Sequence, residues 1–461
     1  MKYSTFFAAH LVSSAVAIRL SPRENPRVIG LDIQRKSNVD PIAHDRMRKR
    51  APVQQTLDNL DTLYFANASL GTPQQSLRLH IDTGSSDLWV NTPTSTLCSQ
   101  RGDQCSDSGT YNANDSSTYS YVNGEFNISY VDGSGASGDY VTDTFHFGGQ
   151  AIKDFQFGVG YTSSSSEAVL GIGYAINEVA VNRGGLDPYP NLPQKLANDS
   201  TINSVAYSLW LNDLDASTGN ILFGGVDTDK YHGSLHTLPI IQEQGVYAEF
   251  LVNLNSLSMN NASHNLSLIS NQNLPVLLDS GTSLTYLPSS IVSTLYTKYS
   301  AQYDSSQGTA FVDCDVANLN DHLVFTFAGA NITVPMNELV VVGAVSRGQP
   351  VCILGIAPSG NSVAILGDTF LRSAYVVYDL DNNQISLAQT NFNATTSNIQ
   401  EIQAGTSGVP NASGVADTAS TSAGATAATS RGAAAAAMTA NPWIGGAALA
   451  GAGLLMGFNG L

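Results

Sequence analysis

Two short stretches hold the residues most capable of chemistry. "HIDTGSSDLWV" occupies residues 80–90 and "VLLDSGTSLTYLP" residues 276–288. Each ends an apolar run on an aspartate, Asp82 or Asp279, and follows it with a hydroxyl residue and a glycine. Gly84 and Gly281 let the backbone turn tightly beside the acid. The hydroxyls of Thr83, Ser85, Ser280 and Thr282 can hydrogen-bond the carboxylate or the facing loop. Two carboxylates held close together cannot both ionise, so one keeps a proton. Such a pair contains an acid and a base and can activate a water between them.

The elements that would bring them together are written as a repeat. Asp82 and Asp279 are 197 positions apart, and Leu170-Gly171 and Leu366-Gly367 are 196 apart, in the same order. That pattern marks a duplicated unit supplying one carboxylate per half, with a two-fold between the halves placing both in a shared cleft. Between about Leu57 and Asn393 the text consists of short β-branched and aromatic runs punctuated by Gly, Asn, Asp and Ser, as in "FNISYVDGSGASGDYVTDTFHF". These read as hairpins of an all-β body. The clearest helical window is residues 289–303, introduced by Pro288 and Ser289.

Asp-Thr-Gly-Ser-Ser-Asp-Leu-Trp-Val and Asp-Ser-Gly-Thr-Ser resemble the two active-site loops of pepsin-like aspartic proteases. The resemblance runs from Tyr64 to Gln389 and takes in "AVLGIGY" at 168–174 and "AILGDTFLRSAYVVYDLDNNQISLA" at 364–388. It implies a bilobal fold of two pseudo-two-fold-related, β-barrel-like lobes with a cleft between them and a few short helices. By the same resemblance Tyr130 in "ISYVDGSGASG" is the tyrosine of a hairpin flap over the substrate, and Trp89 is the indole paired with it. Val131 departs from the glycine usual in pepsins, which bears on flap flexibility. Within the family the chain is most similar to fungal yapsin-like, lipid-anchored proteases, a group that prefers to cut after Lys or Arg. Asp132 in the flap and Asp87 in the first loop are candidates for meeting a basic side chain, the plainer reading of both being a solvated loop carboxylate.

Composition frames this reading. The chain has 461 residues, 43% of them hydrophobic, enough for one large or two ordinary cores. Residues 1–50 carry a balance of +6 and the remainder −23, giving −17 in all. An acidic body of that kind repels nucleic acid and attracts cationic partners.

The N-terminus, with Lys2, an apolar run and Ala15-Val16-Ala17, reads as a signal peptide over 1–17. A basic pro-segment follows over 18–50, ending in Arg48-Lys49-Arg50 before Pro52; a solvated charge run is the alternative. Its shortness leaves little room for the region that plugs the cleft in pepsinogen-like zymogens. The lobes are expected at 51–235 and 236–395.

A flexible Ser/Thr/Ala/Gly stalk is then expected over 396–432, and an apolar tail over 433–461. No Lys or Arg follows that tail, so the pattern favours removal for a lipid (GPI) anchor, with Gly432 a candidate attachment residue, over a retained span or a disordered tail. Sequons at Asn67, Asn114, Asn127, Asn198, Asn261, Asn265, Asn331, Asn393 and Asn411 agree with secretion and display at the cell surface. Four cysteines allow three pairings, of which Cys98–Cys105 and Cys314–Cys352 close local loops; their spacing fits no four-ligand zinc pattern.

Gly133-Ser134-Gly135-Ala136-Ser137-Gly138 satisfies a nucleotide-loop pattern, but no helix follows and a hairpin tip accounts for the glycines. His232 and His236 sit at helical spacing beside Gly233 and Pro239, so they read as surface histidines on a turn. The resulting expectation is a monomeric, surface-anchored aspartic endopeptidase acting on polypeptides, with no metal and no organic cofactor. The rival from another class is an inactive protease fold kept as a wall-anchored binding module.

Overall fold

The computed structural model describes residues 26–35 and 63–414, apart from 103, 131–133, 217, 262 and 264. The signal peptide, most of the pro-segment, Gly432 and the C-terminal tail lie outside those residues. What is described is mostly strand with a few short helices, in two halves built on one plan. Alternation explains the strands locally: Phe126 and Ile128 of Ser120–Ser129 point inward while Glu125 and Asn127 face solvent. The two-residue turn joining Gly135–Phe147 to Gln150–Ser163 is Gly148-Gly149, with φ of 56° and 75°, left-handed backbone that glycine adopts at no steric cost.

A fourteen-stranded sheet links the halves. The join is a single contact between two groups of strands: Tyr231–Pro239, Gln384–Thr390 and Ala374–Asp379 lie side by side, and Ala374–Asp379 pairs with Ala206–Trp210, which is followed by Thr218–Phe223, Ile29–Arg35, Tyr64–Leu70 and Gln75–Asp82. The expected boundary at 235/236 therefore falls inside the strand Tyr231–Pro239. No polar linker marks the join, because strands of both halves share hydrogen bonds there.

The expected pro-segment holds a strand, and two further expectations on extent, the stalk and the helix, are corrected. Ile29–Arg35, inside the expected pro-segment, pairs with Thr218–Phe223 over six registers and touches Tyr64–Leu70 at two. The expected stalk is not free from residue 396: Ile399–Glu401 pairs with Gly225–Asp227, and Ala412–Ser413 pairs with Tyr231–Pro239. Its two anchors are Ile402 and Val409, buried against Tyr231 and Tyr375. The helix is shorter than 289–303, spanning Ser289–Lys298, because Ser300 turns to a φ of 53° and Gln302–Asp304 continues as strand.

The disulfides are Cys98–Cys105 and Cys314–Cys352, as expected. Eight of the nine sequon asparagines are exposed; Asn261 is half-buried and its amide donates to Asp321 Oδ1 at 2.9 Å.

Candidate active site

The two acids stand at corresponding ends of corresponding strands. Gln75–Asp82 runs parallel to Ala168–Gly171, with Asp82 opposite Gly171, and Leu274–Leu278 runs parallel to Ala364–Leu366, with Leu278 opposite Leu366. Leu88–Asn91 and Thr285–Leu287 then return antiparallel against the same strands. The Leu-Gly repeat has a steric cause here. A Cβ on Gly171 would lie 2.6 Å from the Ser86 and Asp87 nitrogens, and one on Gly367 2.3 Å from Thr282 O. Only glycine lets the strand pass this close to the acid's loop.

The same hydrogen bonds hold both carboxylates. Gly84 N–H donates to Asp82 Oδ1 at 2.9 Å and Ser85 Oγ to Oδ2 at 2.6 Å. Gly281 N–H donates to Asp279 Oδ1 at 2.8 Å and Thr282 Oγ1 to Oδ2 at 2.6 Å. Four more bonds cross between the loops. Thr83 Oγ1 donates to Leu278 O at 3.1 Å and accepts from Ser280 N–H at 2.9 Å. Ser280 Oγ donates to Ile81 O at 2.9 Å and accepts from Thr83 N–H at 3.2 Å. Each loop is thus cross-linked to its counterpart through its own hydroxyl. The fit is tight enough that a Cβ on Gly84 would sit 2.6 Å from Asp279 Oδ1. Both acids are fully buried, so their charges interact through a medium that screens them weakly.

Beside the first loop, the hairpin strand Ser120–Ser129 leads to Tyr130. Trp89 Nε1–H donates to Tyr130 Oη at 2.6 Å, and Tyr130 N–H bonds Ser134 O across the hairpin end at 2.8 Å. Asp132 lies outside the described residues. Asp87 does not meet solvent or the cleft: it is 1% exposed and accepts from Tyr140 Oη (2.6 Å), Tyr189 Oη (2.9 Å) and Val179 N–H (2.9 Å). Leu88 and Trp89 turn inward as strand, and Asp87 goes with them. Its role as a contact for a basic substrate is therefore withdrawn; it holds the floor under Trp89 and Tyr130.

Among the buried carboxyls that sequence reasoning missed, Glu178 and Glu249 bear directly on acids named above. Glu178 accepts from Tyr189 N–H at 2.9 Å, and burial, then the charge of Asp87, pushes its pKa up to about 10. Glu249 is 6% exposed, and burial, followed by the charges of Glu243 and Asp279, pushes it up to about 8. The signal available for Glu249 was its isolation as the one acid in the apolar run "VYAEFLV". Among the described residues no cluster of His, Cys, Asp and Glu is arranged to hold a metal ion, and no helix is long and apolar enough to cross a membrane.

Comparison with known proteins agrees with this geometry. The family model for eukaryotic aspartyl proteases matches residues 63–390. A probable aspartic-type endopeptidase opsB of Aspergillus oryzae is 55% identical over 413 residues, covering 88% of this chain and 85% of the relative. One of the same description from Trichophyton verrucosum is 49% identical over 428 residues, covering 90% and 86%. The aspartic proteinase yapsin-3 of Saccharomyces cerevisiae is 37% identical over 360 residues, covering 75% and 70%. With a family match over well more than half of its length and relatives at these identities, the chain belongs to the eukaryotic aspartyl proteases and is an aspartic-type endopeptidase.

Proposed function

We propose that Asp82 and Asp279 are the catalytic dyad, sharing one proton and holding the attacking water between them. One draws a proton from the water while the other donates to the peptide carbonyl, so the scissile bond is hydrated and then cleaved without a covalent intermediate. The observation carrying this is the mirrored bonding of the two acids, with the loop of one packed against the carboxyl of the other. Thr83 and Ser280 set the spacing, while Gly84, Ser85, Gly281 and Thr282 fix each carboxylate's orientation. Tyr130, held by Trp89, closes over an extended substrate.

Substrates are polypeptides with Lys or Arg near the cut, favoured by the −23 balance beyond residue 50. The enzyme is made as a pro-form, secreted, glycosylated at exposed sequons and held at the cell surface by a lipid anchor. The resemblance to yapsin-like proteases and the terminal segments support this reading.

The test compares the full chain with Asp279→Asn on a Lys/Arg-containing peptide library at about pH 4, with and without pepstatin. Cleavage that the inhibitor blocks, and that falls at least about 10³-fold in the variant, is the expected result. Cleavage surviving in Asp279→Asn removes the dyad; cleavage indifferent to Lys and Arg both at that pH and nearer neutrality removes the specificity. The anchor is tested separately, by release of the protein from cells with a phosphoinositide-cleaving phospholipase.

A further inference from the structure

Glu249 lies just before the strand Leu251–Leu254. That strand runs antiparallel to Leu274–Leu278, with Leu251 opposite Leu277, and the ladder continues one rung further where Leu278 N–H donates to Phe250 O at 3.2 Å. The following residue on each side is Glu249 and Asp279. Residues facing each other across such a ladder send their side chains to one side, so the two carboxyls are neighbours. The charge of Asp279 accordingly bears on Glu249.

Glu249 differs from the other buried acids of this region in having nothing to bind. Asp87 accepts from two tyrosine hydroxyls and Val179 N–H, and Asp279 accepts from Gly281 N–H and the Thr282 hydroxyl. No hydrogen bond or ion pair to the Glu249 carboxyl occurs among the described residues, although the side chain is 6% exposed. Nor is a cation available along the chain, since no Lys or Arg occurs between Lys230 and Lys298, whereas Glu243, Glu249 and Asp279 all fall in that interval. Both bounding lysines are engaged elsewhere: Lys230 lies over the Trp210 ring, and Lys298 pairs with Asp321. The ionised form of a carboxyl buried without a donor beside a catalytic acid is disfavoured unless a cation arrives from outside.

We propose that Glu249 is a specificity residue, receiving the cationic side chain of a substrate Lys or Arg on the Asp279 side of the bond to be cut. This rests on the dyad assigned above. It supplies the acidic contact that Asp87, turned into the protein, does not make. A bound cation favours the ionised form of Glu249, so preference for a basic residue grows with pH as Glu249 releases its proton. The other ionisable groups acting on Glu249 are Glu243, in the preceding turn, and Asp279.

The test uses the full-chain enzyme and matched peptides in which one residue beside the cleavage point is Lys or the uncharged norleucine of similar length. The quantity read is the ratio of their kcat/KM values, in which the titration of the dyad cancels. In the unaltered enzyme that ratio rises from about pH 4 to 7. In Glu249→Gln it falls about tenfold, chiefly through KM of the Lys peptide, and loses its pH dependence. Glu243→Gln keeps the preference but moves the rise to lower pH, because Glu249 then ionises more easily. A ratio unchanged by Glu249→Gln overturns the proposal. Should that variant not fold, a ratio flat with pH in the unaltered enzyme overturns it equally. An enzyme that cuts both peptides at equal rates refutes Glu249 alone, whereas one that cuts neither refutes the protease reading beneath it.

Discussion

Replacing Thr83 by valine tests whether the bonds between the loops hold the two acids in register. Valine keeps the shape of threonine, so no cavity opens and the change is confined to the hydroxyl. Two bonds go, that to Leu278 O at 3.1 Å and that from Ser280 N–H at 2.9 Å. The site is buried, so each backbone group is left without this partner in a place water does not readily reach. Each such group costs about 1–3 kcal/mol, for a total of about 2–6 kcal/mol, a large part of the roughly 5–15 kcal/mol that holds a folded domain.

Ser280→Ala removes the matching bonds, to Ile81 O at 2.9 Å and from Thr83 N–H at 3.2 Å, and should cost a similar amount. Urea unfolding reads the stability. Turnover of one peptide reads the geometry, where a shift of about 1 Å between the acids lowers kcat about 10²-fold. Thr83→Val within about 0.5 kcal/mol of the unaltered protein would refute the cross-link argument. A stability loss with kcat intact would make the bonds structural and leave the dyad's spacing to other contacts.

Gly84→Ala places a methyl 2.6 Å from Asp279 Oδ1, so the carboxyl must move, and kcat should fall at least about 10²-fold in a protein that still unfolds cooperatively; near-normal kcat would show that the loops are looser than the packing implies. Asp87→Asn puts amide hydrogens where Val179 N–H and two tyrosine hydroxyls donate, and should lower stability by about 1–3 kcal/mol while leaving selectivity for basic residues unchanged; altered Lys selectivity would restore Asp87 to the substrate site. Glu178 is protonated in the fold, with a pKa of about 10 against 4.5 for the free group. It therefore favours folding fully below about pH 4.5 and loses that contribution as pH climbs toward 10. Glu178→Gln, which stays neutral, should flatten the fall of the urea midpoint between those limits, and parallel curves for the two proteins would contradict this.

Features with a strong local cause were legible in the sequence. The repeated Asp-hydroxyl-Gly loops, the Leu-Gly pairs and the local disulfides each follow from contacts that only those residues allow, and the indole of Trp89 meets Tyr130 as expected. What escaped depends on direction or on sparse anchors. Asp87 looks like a loop acid, yet it moves inward with Leu88 and Trp89. Glu249 becomes conspicuous only when the ladder sets it beside Asp279. The segment after residue 396 is polar on average, but Ile402 and Val409 suffice to hold it down. The alternation of Ile29–Arg35 was hidden by the basic composition around it.

That first strand has a consequence for maturation. The fourteen strands form one sheet only because Ile29–Arg35 meets Thr218–Phe223 on one flank and the start of Tyr64–Leu70 on the other. A cut after Arg50 would leave this piece without a covalent tie to the body, yet still gripped along six residue pairs. The product would be a nicked, two-chain particle until that small fragment dissociated. Were the fragment lost, the edge of Thr218–Phe223 would be bared and the seam between the two sheet blocks opened, so the mature enzyme would need a replacement strand from its own new N-terminus.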